Sequence, residues 1–215
     1  TGAGTVLTSN VATLNVTLDD MAGTVDLATN ANIATLNLKA TGTASTINLD
    51  VDAVDLTIDA AVALDISTTP AGYATTALDN VTIKGAGSVN LGDISTATGL
   101  VSFNASANTG GVTATVDANA TTMTALNADG YVFSAGNDVV TLSNSTVSTK
   151  VTLGAGDDIV TLATGTTTLA AVIDGGTGID TLAMDVADAD AVTTLADGAF
   201  ENKISGFEKL SLTAT

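Results

Sequence analysis

The chain has no cysteine, no histidine, no arginine and no tryptophan, and a single proline, Pro70. Each absence removes a class of chemistry. Without His or Cys there is no imidazole base, no Ser-His-Asp set, no thiol nucleophile and no ordinary zinc centre. Without Cys, stability cannot rest on disulfides, and the compartment stays open. Five lysines face 23 acids, all Asp except Glu201 and Glu208, for a net charge of −18. Nothing basic is present to neutralise phosphates, which excludes nucleic-acid binding, and an anionic membrane surface repels such a chain. No run of 18 or more apolar residues appears, so no helix is expected to enter a membrane. The start, Thr1-Gly2-Ala3-Gly4, has neither Met nor a signal-peptide pattern, so the chain is expected to be a piece of a longer protein.

What is present is aliphatic. Hydrophobic residues make up 45% and mean hydropathy is +0.42, too apolar for a disordered acidic tail. The length of 215 residues fits one domain or one elongated array. Aromatics are only 3%, so the core is expected to be many thin layers of Ala, Val, Leu and Ile.

Short segments alternate apolar and polar residues with period two, as in Leu14-Asn15-Val16-Thr17-Leu18, Leu36-Asn37-Leu38 and Ile47-Asn48-Leu49-Asp50-Val51. The same pattern marks Val54-Asp55-Leu56-Thr57-Ile58, Val62-Ala63-Leu64-Asp65-Ile66, Val81-Thr82-Ile83 and Val89-Asn90-Leu91. Period two reads as strand, with the aliphatic residues on one face. The segments recur: Leu14 to Leu36 and Leu27 to Leu49 span 22 residues, Leu36 to Leu56 and Val81 to Val101 span 20. Two strands per turn of about 20–22 residues predict an all-β, right-handed parallel β-solenoid, or β-roll, each strand stacked about 4.8 Å from its equivalent. Nine or ten turns would make a rod about 45 Å long by that spacing. An antiparallel β-sandwich is the alternative, disfavoured by the scarcity of Asn-Gly and Asp-Gly hairpin signals. Residues 67–77, holding Pro70 and Tyr73, read as a lengthened turn.

Three loops in the second half share one grammar. Gly175-Gly176-Thr177-Gly178-Ile179-Asp180-Thr181-Leu182-Ala183 fits the nonapeptide G-G-x-G-x-D-x-U-x at every specified position, U being a large aliphatic residue. Leu153-Gly154-Ala155-Gly156-Asp157-Asp158-Ile159-Val160-Thr161 lacks the first Gly, and Phe133-Ser134-Ala135-Gly136-Asn137-Asp138-Val139-Val140-Thr141 lacks the first two. Their aspartates, at 138, 158 and 180, keep the solenoid period of 20 and 22 residues. Glycine permits the bends that aim carbonyls inward, and the Asp closes each loop with a carboxylate. Stacked loops would enclose an oxygen-lined space suited to a hard divalent cation, calcium or magnesium. The following strands would stack Val140, Val160 and Leu182 in one column and Leu142, Leu162 and Met184 in another. The competing reading is that these aspartates merely cap turns.

With these loops the chain resembles the RTX family of calcium-binding parallel β-rolls. The resemblance implies Ca2+ between equivalent loops of adjacent turns. Carboxylates would come from Asp138, Asp158 and Asp180, and carbonyls from the glycine-rich positions Gly136, Gly154, Gly156, Gly176 and Gly178. Asp158, in the middle loop, would serve two sites, and Asp138 and Asp180 one each. Asp157 and Asp174 lie beside the loops, as outer ligands or as simple turn residues. The opposite turns, Ser143-Asn144-Ser145-Thr146 and Thr164-Gly165-Thr166-Thr167, lack the Asp, so the metal would line one side only.

The tail Ile204-Ser205-Gly206-Phe207-Glu208-Lys209-Leu210-Ser211-Leu212, with the long Thr/Ala/Asp-rich, Lys-poor run before the loops, resembles RTX-type bacterial surface-layer (S-layer) proteins. Three segments are expected: residues 1–130 as coils without calcium loops, 131–186 as calcium-binding coils, and 187–215 as an irregular stretch and a final strand leading into a further coil or domain. Residues 189–196 read as a short helix or an irregular loop. The function implied is a non-enzymatic structural module of a secreted, calcium-dependent protein. It would sit in an extracellular cell-surface lattice, partnered by copies of itself and by a surface anchor such as polysaccharide. An RTX adhesin or biofilm-matrix segment shares these features. A solenoid polysaccharide lyase or hydrolase is disfavoured by the scattered lysines 39, 84, 150, 203 and 209, and an ice-binding rod by Thr-x-Thr pairs that share no strand register.

Overall fold

The structure, a computed structural model, describes residues 11–26, 33–50, 53–67, 78–194, 198 and 200–214. Leu27, Val51, residues 68–77 of the lengthened turn, and residues 195 and 196 lie outside the described residues.

Two parallel nine-stranded sheets face each other. Odd-numbered strands form the first: β1 (Thr13–Leu18), β3 (Thr35–Ala40), β5 (Asp55–Ala60), β7 (Asn80–Gly85), β9 (Ser102–Asn108), β11 (Tyr131–Val132), β13 (Val151–Thr152), β15 (Ile173–Asp174) and β17 (Ile204–Ser205). Even-numbered strands form the second: β2 (Ala22–Asp26), β4 (Ser45–Asp50), β6 (Leu64–Asp65), β8 (Val89–Asp93), β10 (Val112–Val116), β12 (Val139–Leu142), β14 (Ile159–Thr161), β16 (Thr181–Asp185) and β18 (Lys209–Thr213). The chain alternates between sheets, so every coil contributes one strand to each: a parallel β-solenoid. Eight inter-strand steps give a stack about 38 Å long.

Register-matched columns run along both sheets, in the first from end to end. In the first sheet Leu14, Leu36, Leu56, Val81, Phe103, Tyr131, Val151, Ile173 and Ile204 are successive register partners. In the second, Ala114, Val140, Val160, Leu182 and Leu210 are. Two periodicity assignments shift. Val81 pairs with Phe103 rather than Val101, because the chain between β8 and β9 folds Leu100 into the core as a turn. Leu49 pairs with Val25 rather than Leu27, a slip of two residues that keeps side-chain parity.

The core is mostly aliphatic; Phe200 is buried near the last coils, and in mid-stack Phe103, Tyr131 and Phe133 cluster with ring centroids 4.9–6.4 Å apart. The rings fill the coil in which a helix, α1 (Thr121–Leu126), replaces a simple turn and inserts Met123 into the core. The sequence pattern gave no sign of α1, because its six residues are too few to show helical periodicity. A second helix, α2 (Val186–Thr194), occupies the break after β16, starting three residues before the expected helix. Strand pairs β9–β11, β10–β12, β15–β17 and β16–β18 carry both sheets through residues 130 and 187 without interruption.

Candidate metal centre

All the nominated loops lie on one corner, where the chain passes from the first sheet to the second. Stacking at strand spacing brings loop backbone against loop backbone. A Cβ at Gly176 (φ +97°) would overlap the carbonyl of Gly154, and one at Gly154 (φ +111°) the carbonyl of Ser134. Both the close approach and the positive φ demand glycine. Gly136, Gly156 and Gly178 form a second column beside it, each seated on the loop before it.

Inside this spine runs a ladder of carboxylates. Asp138, Asp158 and Asp180 are each 0% exposed. The Asp138 N–H donates to Oδ1 of Asp158 at 2.7 Å, and the Asp158 N–H donates to Oδ1 of Asp180 at 2.8 Å. The Val112 N–H donates to Oδ1 of Asp138 at 2.6 Å. Each carboxylate thus caps the turn one coil earlier, as the turn-cap reading requires. That accounts for only one oxygen of each later Asp. Among the described residues, the buried side-chain oxygens without a hydrogen-bond partner are Oδ2 of Asp158 and Oδ2 of Asp180.

Asp138 differs. Ser134 stands where Gly154 and Gly176 stand in the later loops. Its hydroxyl donates to Oδ1 of Asp138 at 2.6 Å and its N–H to Oδ2 at 2.9 Å. Both oxygens are therefore satisfied by protein. The electrostatics follow. Burial pushes the Asp138 carboxyl up to about 6 against the opposing Ser134 hydrogen bonds. Burial pushes Asp158 further, to about 7, with Asp138, Asp180 and Asp157 adding like-charge repulsion. Asp180 is raised by burial and then by the neighbouring carboxylates, Glu208 foremost.

Asp157 and Asp174 lie outside this interior ladder. Asp157 is exposed; its N–H donates to Asn137 Oδ1, and its own Oδ1 accepts from the Ile179 N–H, both at 2.9 Å. Asn and Asp share that slot, so no charge is needed there. Asp174 Oδ1 accepts the Ser205 hydroxyl at 2.9 Å.

Three residues on the corner escaped the sequence reading. Ser134 is one. Glu208 extends the ladder, its Oε2 accepting the Asp180 N–H at 2.9 Å. Asn108, 0% exposed, sits one coil before the first Asp. Its Nδ2 donates to the carbonyls of Gly85 (3.0 Å) and Gly87 (2.9 Å), and its Oδ1 accepts from the N–H groups of Gly110 and Gly111. A side-chain amide here does what a cation would do, bridging stacked carbonyls. Only the preserved two-residue offset from the loop glycines could have flagged it.

Among the described residues no three carboxylates gather within reach of one metal ion. Any ligand set must therefore combine one or two carboxylates with backbone carbonyls. The two orphaned oxygens and the all-oxygen donors fit a hard divalent cation. Fold and corner together define a parallel β-solenoid with one spine of stacked glycine and carboxylate turns. Comparison with protein-family models, curated proteins and solved structures returned no match.

Proposed function

We propose that this chain is a structural module of an extracellular, calcium-dependent surface-layer protein, stiffened by Ca2+ along one corner of its solenoid. The observation that carries the reading is the pair of buried, unpartnered oxygens on Asp158 and Asp180. Leaving such atoms unsatisfied costs about 1–3 kcal/mol each, more when charged. Asp158 and Asp180 would hold the ion with carbonyls of Gly154, Gly156, Gly176 and Gly178. Asp138, already saturated by Ser134, would contribute least. Bound Ca2+ supplies positive charge that neutralises the buried carboxylates and ties one coil to the next. The chain's own residues do the rest. Glycine brings carbonyls close, Asp Oδ1 fixes loop register, and the aliphatic columns hold the strands.

The reading assigns no reaction to the protein, consistent with scattered lysines and the lack of any imidazole. A rod presents long side faces and strand edges, which suits array assembly with copies of itself. The β18 edge carries Leu210 and Leu212, 57% and 49% exposed. Electron microscopy of the protein with and without calcium tests the proposal. Ordered two-dimensional arrays appearing only with calcium support it. Calcium binding without arrays, together with glycan binding, would favour the adhesin reading instead.

A further inference from the structure

We propose that Glu208 completes an additional divalent-cation site, between the loop at residues 175–180 and the turn at residues 206–208, beyond the last Asp of the repeating motif. The inference rests on the calcium reading of the preceding loops and extends it to a coil with no such motif. Three observations converge. Glu208 Oε2 takes the Asp180 N–H at 2.9 Å, the contact that Asp180 makes to Asp158 and Asp158 to Asp138. Glu208 is thus the next rung, with a longer side chain on a shorter turn. Gly206 (φ +69°) stacks on the spine as the loop glycines do: a Cβ on it would meet the Gly176 N at 2.6 Å. A Cβ on Gly175 would overlap the Gly206 carbonyl and lie 3.0 Å from the Asp180 Cβ, so that carbonyl and the Asp180 side chain converge on one place. Finally, Asp180 is 0% exposed and its Oδ2 has no partner.

Among the described residues no lysine is found in an ion pair with Asp180 or Glu208; Lys84 pairs with the distant Asp59. The donors are a buried carboxylate, a second carboxylate and a carbonyl, a hard oxygen set. Asp180 then borders two sites rather than one. Ca2+ here would fasten β17 and β18 to β15 and β16.

Calcium titration calorimetry of the whole chain tests this, comparing wild type, Glu208→Gln and Asp158→Asn. Gln keeps an oxygen to accept the Asp180 N–H and removes only the charge. Glu208→Gln is expected to bind one equivalent fewer than wild type. Calcium-induced hydrogen-exchange protection of residues 209–213 should fall at least about ten-fold in that variant, because affinity follows ligand charge. Wild-type stoichiometry and protection in Glu208→Gln, with Asp158→Asn impaired, would overturn this site and leave the loop reading standing. No calcium uptake by the wild type would overturn both.

Discussion

The buried residues on the glycine corner show two ways of satisfying stacked carbonyls. Asn108 supplies its own donors and needs no ion. Truncating it as Asn108→Ala strands the Gly87 carbonyl and two N–H groups, while Gly85 keeps the Thr109 N–H, and should cost about 3 kcal/mol in calcium and chelator alike. A loss of stability confined to chelator, in thermal melts, would contradict that role. Asp158 is the opposite case, a charge with an orphaned oxygen. Asp158→Asn retains the acceptor for the Asp138 N–H and turns Oδ2 into an amide donor, copying Asn108. At pH 7.5 in chelator it should raise stability by about 2 kcal/mol, because it removes an unpaired buried charge. In calcium it should lose much of the metal-dependent increment in Tm. Asp157→Ala, which touches only an exposed cap, should change both values least. Equal damage from Asp157→Ala and Asp158→Ala in calcium would mean the ligand register is wrong by one residue.

The same burial makes stability depend on pH. Ordinary carboxylates titrate near 4. In the folded chain Asp138 lies at about 6, Asp158 at about 7, and Asp180 is also raised. Between about pH 4 and pH 7 the fold therefore holds protons that the unfolded chain has released, so metal-free stability falls as pH rises through that window. Calcium needs the deprotonated form, so its increment grows over the same range. Melting curves at pH 5 and 7.5 should show the chelated Tm falling and the calcium increment rising. A chelated Tm that rises with pH would reject the buried-charge picture.

At the scale of elements, the three glycine-rich loops each follow a very short strand. β11, β13 and β15 have two residues each, whereas β3, β5 and β7 have six. Fewer ladder bonds hold the later coils, and charged turns take their place. Chelation should therefore loosen β12, β14 and β16 while β3, β5, β7 and β9 keep their protection, as read by hydrogen exchange residue by residue. Uniform protection in both conditions would rule out a metal-dependent half. The aromatic cluster of Phe103, Tyr131 and Phe133 sits where the two regimes meet, and the Tyr131 hydroxyl, donating to the Asp117 carbonyl at 3.0 Å, anchors that coil without metal.

For the whole molecule, a parallel solenoid leaves strand edges at the ends of the stack, ready to pair with another chain. Next to the β18 edge lies an apolar cleft of about 380 Å³ formed by Leu182, Met184, Val192, Phe200, Ile204 and Phe207. Concentration-dependent association is expected by sedimentation, and Leu210→Lys with Leu212→Lys should suppress it at a cost of no more than about 1 kcal/mol of stability, since both side chains are half exposed. A wild-type protein that sediments as a monomer at every concentration would argue against assembly through this edge.

The solenoid itself was legible in the chain. Period-two strands recurring every 20–22 residues, in register with three glycine-rich loops, dictate a parallel stack, because side-chain parity and coil length are local properties that tertiary contacts merely repeat. The recurrence of Asp138, Asp158 and Asp180 at one place on successive coils was legible for the same reason; their complete burial was not. The tertiary structure decided the rest. Ser134 saturating Asp138, the Asn108 amide bridging Gly85 and Gly87, and Glu208 standing as a rung all depend on residues 21 to 28 positions apart meeting across a coil, or on a side chain closing back over its own turn. So do the places where coil length slips, at Phe103 and Leu49. Composition and spacing name the residue types on each coil. Only the stack determines which oxygens find a donor and which are left without one.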